Sequence, residues 1–112
     1  MVAGSTRSAD FPVCNPFSSY HDSWDAVLFE LDPDLSASKA LLFSTCLGGE
    51  KADYGTGIGV NPDDDTVYMC GYSESGDFPL LHQIQRLAGY TDAFLVHLDP
   101  VRGGPDSLLY ST

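Results

Sequence analysis

Basic residues are scarce in this chain. Five Lys and Arg stand against sixteen Asp and Glu over 112 residues, a formal net charge of -11. Nucleic-acid binding needs cations to neutralise phosphates, so that class of partner is excluded, and an anionic membrane surface with it. Apart from Asp63-Asp64-Asp65 the carboxylates are scattered, as on a solvated surface and at loop tips. Cysteine is sparse as well. Cys14, Cys46 and Cys70 form no C-x-x-C pair, and an odd count leaves a thiol over in any disulfide framework. Zinc-ligand spacing is missing, so the three read as small buried or half-buried hydrophobes. Long apolar runs are absent. Ala40-Leu41-Leu42-Phe43 is too short to span a bilayer, so no membrane insertion is expected. Residues 1–13 have no apolar h-region of a secretory signal; export of a parent protein would need information elsewhere.

What is present points to a globular chain, since 43% hydrophobic and 12% aromatic residues exceed what a disordered acidic tail carries. Its strongest feature is internal. Shifted by 67 positions, residues 1–45 lie over residues 68–112 without a gap and with 15 identities, where average residue usage gives roughly three. Asp10-Phe11-Pro12 falls on Asp77-Phe78-Pro79, Asp25-Ala26 on Asp92-Ala93, Leu31-Asp32-Pro33 on Leu98-Asp99-Pro100, and Ser44-Thr45 on Ser111-Thr112. A duplication this regular marks a repeat architecture.

Within the repeat the local patterns are those of strands. Residues 54–60 alternate glycine with larger residues, as a strand packed closely against neighbours can, and Asn61-Pro62-Asp63-Asp64-Asp65 is turn chemistry leading into a strand at 66–72. The segment Asp92 to Leu98 and its counterpart Asp25 to Leu31 are nearly all apolar, which predicts strands covered on both faces. Further strands are predicted at 2–6, 40–45 and 107–112; only Leu81 to Leu87 offers weak helical spacing. The expected fold is all-β, built of propeller blades of four antiparallel strands. Residues 1–45 form a partial blade (strands b, c, d) and residues 46–112 a complete one (a, b, c, d). At about 1.75 blades the ring is incomplete. The first blade lacks its inner strand, which predicts a fragment of a longer reading frame. A β-sandwich explains the strands but not the gapless repeat.

The run FSTCLGGEKADYGTGIGVNPDDDTVYMCGYSESGDFPL, followed by TDAFLVHLDP and LLYST, resembles the SBBP repeat of bacterial β-propeller proteins. The residues that carry the match include Gly48, Gly49, Asp53, Gly71, Asp77, Phe78, Pro79, Asp92, Asp99 and Pro100. Cys46 stands where the family usually has an aromatic residue and Cys70 where it usually has Thr. The resemblance implies a large exported or cell-surface bacterial protein of many repeats, with a scaffold, adhesion or protein-binding role. Its partners would be adjacent blades of a longer chain or of other copies, and a surface protein or polysaccharide. A propeller enzyme acting on polysaccharide and a self-assembling ring are the alternatives.

No catalytic, cofactor or metal residue is assigned. Gly55-x-Gly57-x-Gly59 lacks the third glycine of a dinucleotide fingerprint, since position 60 is Val60, and Asn61-Pro62 forbids the helix that must follow. The Asp63-Asp64-Asp65 tip lacks calcium-loop spacing. His21, His82 and His97 are dispersed, and no nucleophile-elbow motif occurs. Asp25, Asp53 and Asp92 read as acceptors of backbone hydrogen bonds at strand starts. Residues 13–24 and 80–91 differ between the two copies, as tolerant surface loops do. Within the first of them Phe17, Tyr20 and Trp24 are the candidate partner-binding aromatics.

Overall fold

A computed structural model describes residues 1–86 and 88–112. Seven strands form two antiparallel sheets: β1 (Val2–Thr6), β2 (Asp25–Leu31) and β3 (Leu41–Leu47) in the first, and β4 (Asp53–Val60), β5 (Val67–Ser73), β6 (Asp92–Leu98) and β7 (Leu108–Ser111) in the second. Each sheet is a sequential meander, β1-β2-β3 and β4-β5-β6-β7. The strands lie within a residue or two of the predicted positions, because turn chemistry brackets each apolar run. Asp32 Oδ1 accepts the Asp34 amide at 3.0 Å, and its repeat counterpart Asp99 accepts the Val101 amide at 3.0 Å. At the β4–β5 hairpin, Asn61 Oδ1 accepts the Asp63 amide at 3.0 Å and Asp65 takes a left-handed φ of 59°. The weak helical segment from Leu81 contains an isolated bridge of Leu81 to Ser111 and bends up to Arg86, while Leu87 lies outside the described residues. A short 3₁₀ turn at Gly104–Ser107 carries Pro105 as its second residue, in the first turn where a missing amide is tolerated; the residue pattern alone did not indicate it.

The duplication reappears in detail. Both copies carry a register shift at the same place, between Glu30 and Leu31 and between His97 and Leu98, which leaves Leu42 and Leu109 as the extra residues. Cys14 bridges Ser44 as Leu81 bridges Ser111. The Ser44 hydroxyl donates to the Pro12 carbonyl and the Ser111 hydroxyl to the Pro79 carbonyl, both at 2.7 Å. The Asp-Phe-Pro segments are thereby fastened to the last strand of their own sheets.

The core lies between the sheets. Ala26 and Leu28 of β2 with Phe43 and Leu47 of β3 pack on Val67 and Met69 of β5 and on Phe94, Val96 and Leu98 of β6, all of them buried. Each full burial of a Leu, Met or Phe contributes about 1.5–3 kcal/mol. Phe78 stacks on Phe94 at 4.6 Å between centroids and joins the same cluster. β2 is covered on both faces over Asp25 to Leu28, as its apolar composition predicts. β6 is not: Phe94, Val96 and Leu98 are buried, whereas Leu95 is 39% exposed. The first sheet covers one side of the second, and no described element covers the other.

The glycine-rich strand also departs in part from expectation. A Cβ on Gly55 would meet Met69 Cε at 2.7 Å and the Gly4 carbonyl at 2.8 Å, and one on Gly57 would meet Cys70 Sγ at 2.9 Å, but one on Gly59 would meet nothing within 4 Å. Close packing therefore accounts for two of the three glycines; Ile58 to Val60 are exposed beyond the sheet contact.

Gly71 and its counterpart Gly4 provide an internal control. A Cβ on Gly71 would collide with the Tyr54 carbonyl of β4, whereas on Gly4, with no strand on that edge of β1, it would meet only Val27 Cγ2 at 3.9 Å. Gly71→Ala is expected to destabilise the fold by more than about 2 kcal/mol. Gly4→Ala should stay within about 1 kcal/mol of wild type, on the stabilising side. Equilibrium urea denaturation of the two variants checks the pair.

Candidate functional site

Burial and hydrogen bonding bring two of the acidic strand starts, Asp25 and Asp53, together at the end of the sheets, while the third, Asp92, serves its own loop. Asp25 opens β2, and its Oδ2 accepts the His21 amide at 2.7 Å; Asp92 opens β6, and its Oδ2 accepts the amides of Ala88 at 2.7 Å and Gly89 at 2.6 Å. Positions 21 and 88 are repeat equivalents, so the loop preceding the strand is anchored in the same way in both copies. Asp53 opens β4 and is the most heavily bonded of the three. Its Oδ2 accepts the Gly49 amide at 2.9 Å and the Ser75 hydroxyl at 2.7 Å, and its Oδ1 accepts the Ser73 hydroxyl. All three carboxylates thus accept backbone amides, as their positions at strand starts suggest.

The Gly48-Gly49 segment threads between Asp25 and Asp53 and past Asp77. β3 runs through Cys46 to Leu47, two residues beyond the predicted strand end. A Cβ on Gly48 would meet Asp25 Oδ1 at 2.5 Å and Asp53 Oδ2 at 2.8 Å, and one on Gly49 would collide with Asp77. Only hydrogen fits there. Asp77 Oδ1 in turn accepts the Glu50 amide at 2.9 Å, and Ser75 Oγ accepts the Lys51 amide at 2.9 Å.

Electrostatically these carboxylates are unlike one another. Asp25 is fully buried, and desolvation raises its pKa above the ordinary 3.8; hydrogen bonds and charge from His21 oppose the rise, and the nearby Asp53 adds to it. Its Oδ1 accepts no hydrogen bond among the described residues. The His21 ring approaches Oδ2 at 3.2 Å. Burial, with the Asp25 charge beside it, pushes the Cys46 thiol up to about 11, so it stays protonated and unreactive at neutral pH. At the β4–β5 hairpin the hydroxyl and amide of Thr66 donate to Asp64 Oδ1 at 2.7 and 3.0 Å and hold that carboxylate below its usual range. The Asp63-Asp64-Asp65 tip is exposed, with one carboxylate occupied in its own turn. His97 shares a hydrogen bond with Thr66 Oγ1 at 2.8 Å and stacks on Tyr68. Among the described residues no group of three or more His, Cys, Asp or Glu side chains is gathered to hold a metal ion.

The candidate aromatics of the first loop divide. Phe17 is half-buried against the core and Tyr20 lines a cleft with His21, Asp22, Gly49, Glu50 and Asp77. Trp24 is 38% exposed and begins a row that continues through Tyr54, 5.8 Å away, to Tyr72, 4.9 Å further. Tyr54 and Tyr72 are stacked and Trp24 is tilted against Tyr54. Tyr54 and Tyr72 were not singled out by sequence reasoning. With Tyr68 they lie on the outer face of the second sheet, and the alternation Tyr68-x-Cys70-x-Tyr72 opposite Met69 and Gly71 was the available signal. Gly48, Gly49, Asp53 and Asp77 come together at the strand-start assembly. Phe78 enters the core, while Asp99 and Pro100 form the turn after β6 and lie apart from it.

The fold and this assembly define the chain as an all-β protein of two stacked antiparallel sheets. Compared with known proteins, it matches no family model, no curated protein and no solved structure. No helix is long and apolar enough to cross a membrane, a statement about helices among the described residues alone.

Two measurements follow from the buried carboxylate and thiol. A raised folded-state pKa means that the folded chain takes up the Asp25 proton more readily than the unfolded chain. The penalty for the charged form is full above the folded pKa and is relieved as pH falls toward 3.8. Asp25→Asn, which keeps an acceptor for the His21 amide, is expected to raise Tm at neutral pH, with the advantage shrinking as pH falls through the acidic range; calorimetry across pH reads both. Cys70 is exposed, Cys14 half-buried and Cys46 buried. Iodoacetamide should label Cys70 and Cys14 in the folded chain and Cys46 only after unfolding, as mass spectrometry would show.

Proposed function

We propose that this chain is a non-enzymatic β-propeller repeat segment of a bacterial exported or cell-surface protein, acting as a scaffold that presents loops to partners. The reading draws on the SBBP-like residue pattern and rests on one structural observation. The sheet contact is head-to-tail with respect to the repeat. Ala26, Leu28 and Phe43 on one face of the first sheet are buried against the second, while their repeat equivalents Ala93, Leu95 and Tyr110 lie on the opposite side of the second sheet, outside that contact. An arrangement in which the same face always meets the opposite face of the next unit can be continued by adding units, which is the geometric requirement of a blade array.

The reactive residues support a structural role. The buried carboxylates accept amides and hydroxyls, the buried thiol is held neutral, the His21 ring lies between Ser18 Oγ at a long 3.4 Å and the Asp25 carboxylate that anchors its loop, and His97 shares a hydrogen bond with Thr66. The loops before β2 and β6, which differ between copies, are the parts free to diversify for adhesion or protein binding. Trp24 and Tyr90 are exposed aromatics there, and Phe17 and Tyr20 are half-buried.

The test is a series of chains carrying from about four to about eight tandem copies of residues 46–112, imaged by electron microscopy. One length should give closed discs with a central channel. Open rods at every length would reject the propeller reading.

A further inference from the structure

The second sheet carries an outer face whose composition is at odds with the rest of the chain. In a protein with a net charge of -11, the side chains it presents from the strands include Tyr54, Tyr68, Tyr72, Ala93 and Leu95, and no carboxylate, lysine or arginine is among the outward residues of β5 and β6. Tyr68 and Tyr72 are each 41% exposed and Leu95 is 39% exposed. An uncharged, tyrosine-rich sheet face of this kind marks an interaction surface.

The molecule itself shows what covers such a face. Leu95, Ala93 and Tyr110 are the repeat equivalents of Leu28, Ala26 and Phe43, which are no more than 1% exposed because Met69, Phe94, Val96 and Leu98 lie on them. The repeat equivalents of those four covering residues are Val2, Val27, Phe29 and Leu31, on the outer face of the first sheet. There Val2 and Leu31 are 44% and 48% exposed, Phe29 is half-buried and Val27 is buried, and Phe11, Phe29, Leu31 and Leu41 line an apolar hollow. Both halves of the internal contact therefore recur on opposite ends of one chain, open at Tyr72 and Leu95 on one and at Val2 and Leu31 on the other. We propose that copies of this chain associate head-to-tail, the Leu95–Tyr72 face of one copy receiving the Val2–Leu31 face of the next. This deepens the repeat-segment reading by naming the surfaces and the occupant, a second copy. Because each copy is strongly acidic while the two faces are apolar, added salt strengthens the association by screening repulsion between copies.

Sedimentation velocity of the full chain across a range of concentrations tests this, with far-UV circular dichroism to establish that each variant is folded. Wild type is expected to form dimers and larger species reversibly, more so with added sodium chloride. Leu95→Glu and Leu31→Glu each add a charge to one face and should weaken association by about tenfold or more. Val101→Asp adds the same charge at an exposed turn, where the first repeat already carries Asp34, and should leave association unchanged. An equimolar mixture of Leu95→Glu and Leu31→Glu retains one intact pair of faces, so it should recover a one-to-one dimer and nothing larger. A wild-type chain that stays monomeric, face variants that associate like wild type, or a mixture that recovers no dimer would overturn the proposal. Tandem chains that close into discs while free chains stay monomeric would overturn it and leave the propeller reading standing.

Discussion

The contact between the two sheets is the constraint on which the other features depend. Three or four short strands cannot bury enough apolar surface alone, and each sheet here becomes stable by laying one face on the other. Close approach at one edge makes this possible: Gly55 of β4 lies against the Gly4 carbonyl of β1 and the Ala26 methyl of β2, a place where side chains would hold the sheets apart. From there Leu28 and Phe43 reach across to Met69, Phe94 and Val96, and the core closes without a helix. Phe78 extends it by stacking on Phe94, which brings the Asp-Phe-Pro segment into the core and positions the loop that follows.

At the end of the sheets the same contact concentrates acidic groups where water is excluded. An Asp at a strand start is a local device: it accepts the amides of the preceding loop and sets the angle at which the strand enters. Asp92, near the surface, does this in contact with solvent. Asp25 does it under the Gly48-Gly49 segment and beside Asp53, so the same device there carries a desolvation penalty. Asp53 shows how a buried carboxylate is accommodated, by donors from Ser73, Ser75 and Gly49 on both oxygens. The difference among the three lies in their surroundings rather than in residue type, and it links this corner of the fold to pH.

The head-to-tail relation of the sheets also sorts the surface. A repeat that buries one face of the first copy and the opposite face of the second leaves the complementary pair outside. This explains why apolar strand residues such as Leu31 and Leu95 are exposed although their counterparts Leu98 and Leu28 are in the core. Identical sequence positions thus occupy different environments. The repeat specifies what each face can pack against, and the neighbours present decide whether it is packed.

Much of this was legible in the residues. The 67-residue duplication, the bracketing of apolar runs by Asn, Asp and Pro, and the acidic strand starts determine seven strands, their sequential pairing and the role of Asp25, Asp53 and Asp92. These are governed by local chemistry: a turn signal or an amide acceptor acts over a few residues and reads the same in any context. Which faces are covered was decided only by the tertiary structure. The apolar stretch of β6 predicts cover on both sides, yet one side is open; Gly59 reads like Gly55, yet nothing approaches it. Trp24, Tyr54 and Tyr72 come from three separate segments and meet only because β4 pairs with β5 beside the first sheet. Burial is a property of what lies across the interface, and that depends on how two sheets distant in sequence stack, which no local pattern contains.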